Sequence, residues 1–261
     1  MWFDTHCHLD FDCFQQDWAS YIAKFESAGI ERCLIPAVGA NNWLKVISLA
    51  ENKGFYAAVG VHPMRVAEKT QQIEQELHSL DVLISANLVN ITAIGECGLD
   101  SRFKSCLNEQ INAFEFQLHL ANRYNKPTVI HSVKQHHQIL SSIKSLKASH
   151  GVIHAFSGNY QQAKAFIDQG FKIGIGGVIT WPTAQKTRQA IAKIPVDSIV
   201  LETDAPDMRL AGLQDQPNSP HLLPLIFKQL VSLRSETPSI LAEQIWQNSL
   251  CLFGDKFHLD T

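Results

Sequence analysis

Met1-Trp2-Phe3-Asp4-Thr5-His6-Cys7-His8-Leu9-Asp10 opens the chain. Read as a strand from Met1 to Cys7, its alternation puts Asp4, His6 and His8 on one face and Phe3, Thr5 and Cys7 on the other. Two imidazoles then project the same way, about 7 Å apart along the strand. Imidazole and carboxylate groups buried without partners are costly, and a metal ion would satisfy them together. A lone His-x-His fits two solvated histidines at a chain terminus equally well. The pair gains meaning only if further ligands follow.

Downstream, short apolar runs alternate with amphipathic stretches. Strand-like runs are expected at 32–38, 55–61, 91–94, 128–131, 151–154, 171–175 and 198–201. Between them, 14–27, 42–53, 71–85, 107–124, 134–146, 160–169 and 183–194 read as helices, and 221–233 and 238–253 close the chain. Counting the opening run, eight strands alternate with helices. Alternation of this kind implies parallel strands with right-handed crossovers, and eight of them close most simply into a single-domain (β/α)8 TIM barrel over residues 1–261. An open doubly wound sheet is the competing arrangement.

Polar residues arrive where each apolar run stops. His6 and His8 follow strand one, His62 strand three, Glu96 strand four, His131 strand five, His154 strand six and Asp204 strand eight. In a barrel, these C-terminal strand ends meet at one mouth, where active sites sit. Each residue alone has an ordinary explanation: His131 as a helix cap, His154 as a core histidine, Glu96 paired with a buried lysine. Together, four histidines and two carboxylates are too many for one tetrahedral ion with an open position. They suit two divalent ions sharing a carboxylate, with zinc, manganese or magnesium all compatible.

The formal charge of −3 and pI near 6.4 argue against binding to duplex nucleic acid by phosphate neutralisation alone. The six cysteines form no C-x-x-C pair and no signal peptide is evident, so the expected location is cytoplasmic. No run approaches the roughly 18 apolar residues of a membrane span, and no membrane partner is expected.

The sequence resembles the TatD family of metal-dependent deoxyribonucleases in the amidohydrolase superfamily. The resemblance rests on D-T-H-C-H-L-D at 4–10, G-V-H-P at 60–63, I-G-E-C-G-L-D at 94–100, I-H-S at 130–132, I-H-A-F-S-G at 153–158, L-E-T-D-A-P at 201–206, N-S-P at 218–220 and N-S-L-C-L-F at 248–253. It implies a TIM barrel with His6, His8 and Asp204 on one metal, His131 and His154 on the other, and Glu96 bridging. Two departures stand out. The family often has an aromatic after G-L-D and an arginine shortly after I-H-S, where this chain has Ser101 and Val133. A missing arginine removes a bidentate phosphate contact. Arg65, Arg102, Lys104 and Lys134 are candidates to replace it, and Phe103, Phe156, Trp181 and Met208 are candidates to meet a base.

The resulting expectation is a hydrolase that cuts DNA or nucleotide phosphodiesters, bound weakly at strand ends or single strands, by a monomer. Asp204 would orient the attacking water and take its proton, Glu96 would bridge the ions, and His62 would contact phosphate or protonate the leaving group. Glu202 would support the ligands. One rival keeps the two-metal centre and changes the bond to a small-molecule amide, lactone or aminoacyl ester. The other is a non-catalytic metal or nucleic-acid binding protein.

Overall fold

In the computed structural model, which describes residues 1–254, eight parallel strands form one sheet in sequence order. They are β1 (Trp2–Asp4), β2 (Ile30–Pro36), β3 (Phe55–Val59), β4 (Ile91–Asp100), β5 (Thr128–Val133), β6 (Gly151–Ile153), β7 (Phe171–Ile175) and β8 (Ile199–Leu201). The helices between them are α1 (Asp12–Gln15), α2 (Trp18–Ser27), α3 (Trp43–Leu49), α4 (Pro63–Glu68), α5 (Ile73–Ala86), α6 (Leu107–Tyr124), α7 (His136–Leu146), α8 (Tyr160–Ile167), α9 (Gln185–Ile191), α10 (Leu223–Val231) and α11 (Pro238–Phe253). This is the expected (β/α)8 barrel. The first and last strands meet beyond their own ends. Thr5 N–H donates to Leu201 O (3.0 Å), Asp204 N–H to His6 O (2.8 Å) and His8 N–H to Ala205 O (2.7 Å). Asp4 reinforces that seam, accepting from His6 N–H, Thr203 N–H and the Thr203 hydroxyl.

Two apolar layers explain where the polar residues end up. Phe3, Leu34, Ala58, Ala93, Val129, Val152 and Val200 point into the barrel and pack with Leu252 and Phe253 of α11. Their neighbours Ile35, Ile94, Ile130, Ile153 and Leu201 point outward into the layer under the helices. Side chains alternate along a strand, so the residue two places after each inward valine faces inward one layer higher. Those residues are His131, His154 and Glu202. The apolar floor thus sets both the height and the direction of the polar layer.

Two strands break this alternation. In β1, Phe3 faces the interior and Cys7 the outer layer, so the parity shifts by one between them. The opening strand therefore stops at Asp4 and does not run to Cys7. His6 and His8 reach the interior from the segment after it, and Asp4 turns aside to Thr203. In β4, the register against β5 shifts between Ile94 and Cys97. The shift places Glu96 inside and Cys97 outside, where unbroken alternation from Ala93 would do the reverse. β4 continues through Gly98 to Asp100.

Gly98 makes the β4–β5 approach possible. It has φ of 144°, and a Cβ there would stand 2.0 Å from the carbonyl oxygen of His131. Gly98→Ala is expected to cost about 3 kcal/mol from overpacking and backbone strain. Chemical denaturation reads that loss, and an unchanged midpoint would show that the strands can separate freely here.

Candidate metal centre

Glu96 is at the middle of the polar layer, 3 % exposed, with a different set of donors on each of its oxygens. Oε2 lies 3.3 Å from His6 Nε2 and 3.7 Å from His8 Nε2. Asp204 Oδ1 completes that group at 3.4 Å from His6 Nε2 and 3.7 Å from His8 Nε2, and the two imidazole nitrogens are 3.3 Å apart. Oε1 lies 2.8 Å from His131 Nδ1 and 2.9 Å from His154 Nε2, which are 3.2 Å from each other. His62 Nε2 approaches the same oxygen at 3.4 Å.

These separations fit a metal-binding donor set. Ligands about 2.0–2.1 Å from a zinc ion stand about 3.3 Å apart at the corners of a tetrahedron. Octahedral neighbours around an ion of similar bond length stand about 3.0 Å apart. The first group matches the former and the second the latter. Outer hydrogen bonds agree with this. His8 Nδ1 faces Pro36 O at 3.1 Å and His131 Nε2 faces Asp100 Oδ2 at 3.0 Å. Each bond places the ring's proton on the outer nitrogen and leaves the inner lone pair facing carboxylate oxygens. Lone pairs converging in this way repel one another unless a proton or a metal ion lies between them.

The electrostatics follow from burial and close packing. Burial opposes charge on Glu96, but the imidazoles of His154, His62 and His6 prevail and hold its carboxyl well below the usual range. Burial also opposes charge on His154 and His131. Glu96 overrides it and raises His154 well above an ordinary histidine, while Asp100 and Glu96 raise His131. His6 and His62 go the other way, driven down chiefly by burial. Burial pushes the Asp204 carboxyl up to about 7 against the pull of His154 and His8.

A family model described as TatD related DNase matches residues 3–254. The chain belongs to the TatD family. It is 39 % identical over 261 residues to the metal-dependent hydrolase YjjV of Escherichia coli (strain K12), covering 96 % of this chain and 97 % of that protein. A protein of Pantoea ananatis named 3'-5' ssDNA/RNA exonuclease TatD is 31 % identical over 265 residues, covering 97 % and 99 %. The crystal structure of the Escherichia coli k12 TatD homologue YJJV superposes with a TM-score of 0.92 at 38 % identity, covering 97 % of this chain and 98 % of that one. The protein is therefore a metal-dependent hydrolase of the TatD family.

In this TatD-family chain, the cations proposed for substrate contact are distributed differently from the ligands. Arg65 Nε is bound to both carboxylate oxygens of Glu76 at 3.0 and 3.1 Å, and Glu76 also accepts from Ala40 N–H. That pair ties α4 and α5 to the loop after β2, so Arg65 is not aimed at the centre. Arg102 grips Asp100 through Nε and Nη2 at 2.8 and 2.5 Å, and Asp100 in turn holds His131. Arg102 thus acts on the centre through a ligand while keeping a largely exposed side chain. Lys134 stands exposed just after β5. Phe156 is fully buried and stacks on His136, which removes it as a base contact, whereas Phe103, Trp181 and Met208 are partly exposed.

Asp100, the Pro36 carbonyl and Phe11, whose ring stacks on His8 at 4.9 Å, were not singled out from the sequence. Asp100 had a visible signal, since it closes the I-G-E-C-G-L-D run. A backbone carbonyl has none.

Proposed function

We propose that this chain hydrolyses phosphodiester bonds at the ends of single-stranded DNA or RNA, using two divalent ions held on either side of Glu96. The observation that carries this reading is the division of Glu96: one oxygen faces His6, His8 and Asp204, the other His131 and His154. The resemblance to a named ssDNA/RNA exonuclease over nearly the whole chain supports the choice of bond. Divalent ions in such a pair supply Lewis-acid activation of water and stabilise charge on phosphate oxygens. Six free thiols accord with a reducing, cytoplasmic setting.

The protein's own groups divide the remaining work. Asp204, whose carboxyl burial raises to about 7 in the metal-free centre and a neighbouring cation would keep ionised, accepts a proton from the attacking water. His62 is fixed as a donor. Its Nδ1 accepts from Met64 N–H at 3.0 Å, capping α4, so in the neutral ring the proton sits on Nε2. Burial keeps that ring neutral, and Nε2–H points toward the centre, placed to hold a non-bridging phosphate oxygen. Asp100 and Pro36 O keep His131 and His8 in register.

The test offers end-labelled single-stranded and duplex oligonucleotides with Mg, Mn or Zn in turn, beside amides, lactones and aminoacyl esters. Single strands are expected to shorten from an end, with His131→Ala slower by at least about 100-fold. Intact oligonucleotides beside turnover of a lactone or ester would overturn the nuclease reading and favour a small-molecule hydrolase.

A further inference from the structure

Among the described residues, four buried side-chain atoms have no hydrogen-bond partner: His6 Nδ1, His154 Nδ1, Glu202 Oε2 and Asp10 Oδ1. Three of these belong to residues packed together beneath the metal centre. The His6 and His154 rings stack with centroids 3.9 Å apart and planes 12° from parallel. His154 Nδ1 lies 3.6 Å from Glu202 Oε1, and ligating atoms of His6, His154 and Glu202 all fall within 4.8 Å of one another. An unsatisfied buried polar atom is costly, and three in one cluster mark groups placed to pair with each other.

The two rings direct their Nε2 atoms to opposite oxygens of Glu96, His6 toward Oε2 and His154 toward Oε1. An imidazole that gives its Nε2 lone pair to a cation carries its proton on Nδ1, and that N–H needs an outer acceptor. His8 and His131 have theirs in Pro36 O and Asp100. We propose that Glu202 serves both remaining rings, Oε1 accepting from His154 Nδ1–H and Oε2 from His6 Nδ1–H. One buried carboxylate then fixes one ligand of each ion, an inference that rests on the two-ion reading above. Glu202 is a positioning residue and touches neither ion nor substrate.

Two further contacts hold the carboxylate for this task. Ala155 N–H donates to Oε1, and Gly174 leaves the space that Oε2 occupies. A Cβ on Gly174 would stand 2.4 Å from Glu202 Oε2 and 3.1 Å from the Cα of His154.

Equilibrium dialysis against Zn or Mn, with metal counted per chain, tests the idea on the full-length protein. Glu202→Leu removes both acceptor oxygens and is expected to weaken both ions together, by about 10- to 100-fold each. Asp100→Asn, which disturbs the partner of His131 alone, is expected to weaken one. Unchanged binding in Glu202→Leu, or loss of a single ion, overturns the proposal. A parent chain that binds fewer than two ions overturns the two-ion reading instead. Should Glu202→Leu fail to fold, imidazole 15N NMR of the metal-loaded parent decides. His6 and His154 both protonated on Nδ1, with slowly exchanging protons, support the shared carboxylate, and a fast-exchanging His6 proton refutes it.

Discussion

Glu96→Ala is expected to release both ions at once and to lower kcat/KM by about 10⁴-fold or more. The reason is geometric. His6, His8 and Asp204 gather around one oxygen of Glu96 and His131 and His154 around the other, so among the described residues Glu96 is the carboxylate that faces both halves from this side. The substitution also removes the negative charge that does most to raise His154 and that helps Asp100 raise His131, so each of these buried rings keeps only its outer carboxylate partner. His131→Ala is the contrasting case, because it strips one ligand from the Oε1 side and leaves the Oε2 group whole. Metal content after dialysis should therefore read close to zero for Glu96→Ala and close to one ion for His131→Ala. Equal losses in the two variants would mean that the halves are not joined through Glu96.

The contrast between what was legible and what was not follows from these same strands. Phe171–Ile175, Leu107–Tyr124 and Pro238–Phe253 appear with the boundaries the sequence suggests, because apolar spacing and breakers such as Pro127 and Gly254 act locally. His131 and His154 were legible because each follows an inward valine by two residues on a regular strand. Glu96 was legible as a motif residue but not as an inward one, since a register shift in β4 is set by the β5 backbone and leaves no periodic trace. The opening strand ends at Asp4, earlier than its alternation suggests, because alternation does not report where β1 leaves the sheet to join the segment after β8. The helix Pro63–Glu68 has no clear sequence signal, since His62-Pro63 reads as the end of a strand, whereas it caps a helix. Arg65 and Arg102 looked alike in sequence. Their carboxylate partners, Glu76 eleven residues on and Asp100 two residues back, decide their roles, and such pairings appear only once the chain folds.

Asp204→Asn separates proton transfer from scaffolding. Asp204 has φ of 58°, a left-handed conformation that asparagine adopts as readily as aspartate, so the exchange leaves the backbone in place. Its side chain is 14 % exposed against 3 % for Glu96, which puts it on the open side of the centre where water and substrate enter. Without a metal, burial raises its carboxyl to about 7, and a cation beside it favours the ionised form that a proton acceptor needs. The parent's kcat/KM should thus have an acid limb that lies below that metal-free value. An amide accepts no proton at any pH in this range, so kcat is expected to drop by about 1,000-fold and that acid limb to disappear. The His131 and His154 half should keep its ion, which distinguishes this loss from the collapse caused by Glu96→Ala. If Asp204→Asn retains both the rate and the limb, the proton leaves by another route. A neutral His62 with Nδ1 held by Met64 N–H has no free lone pair to receive it, so the acceptor would then have to come from the substrate itself.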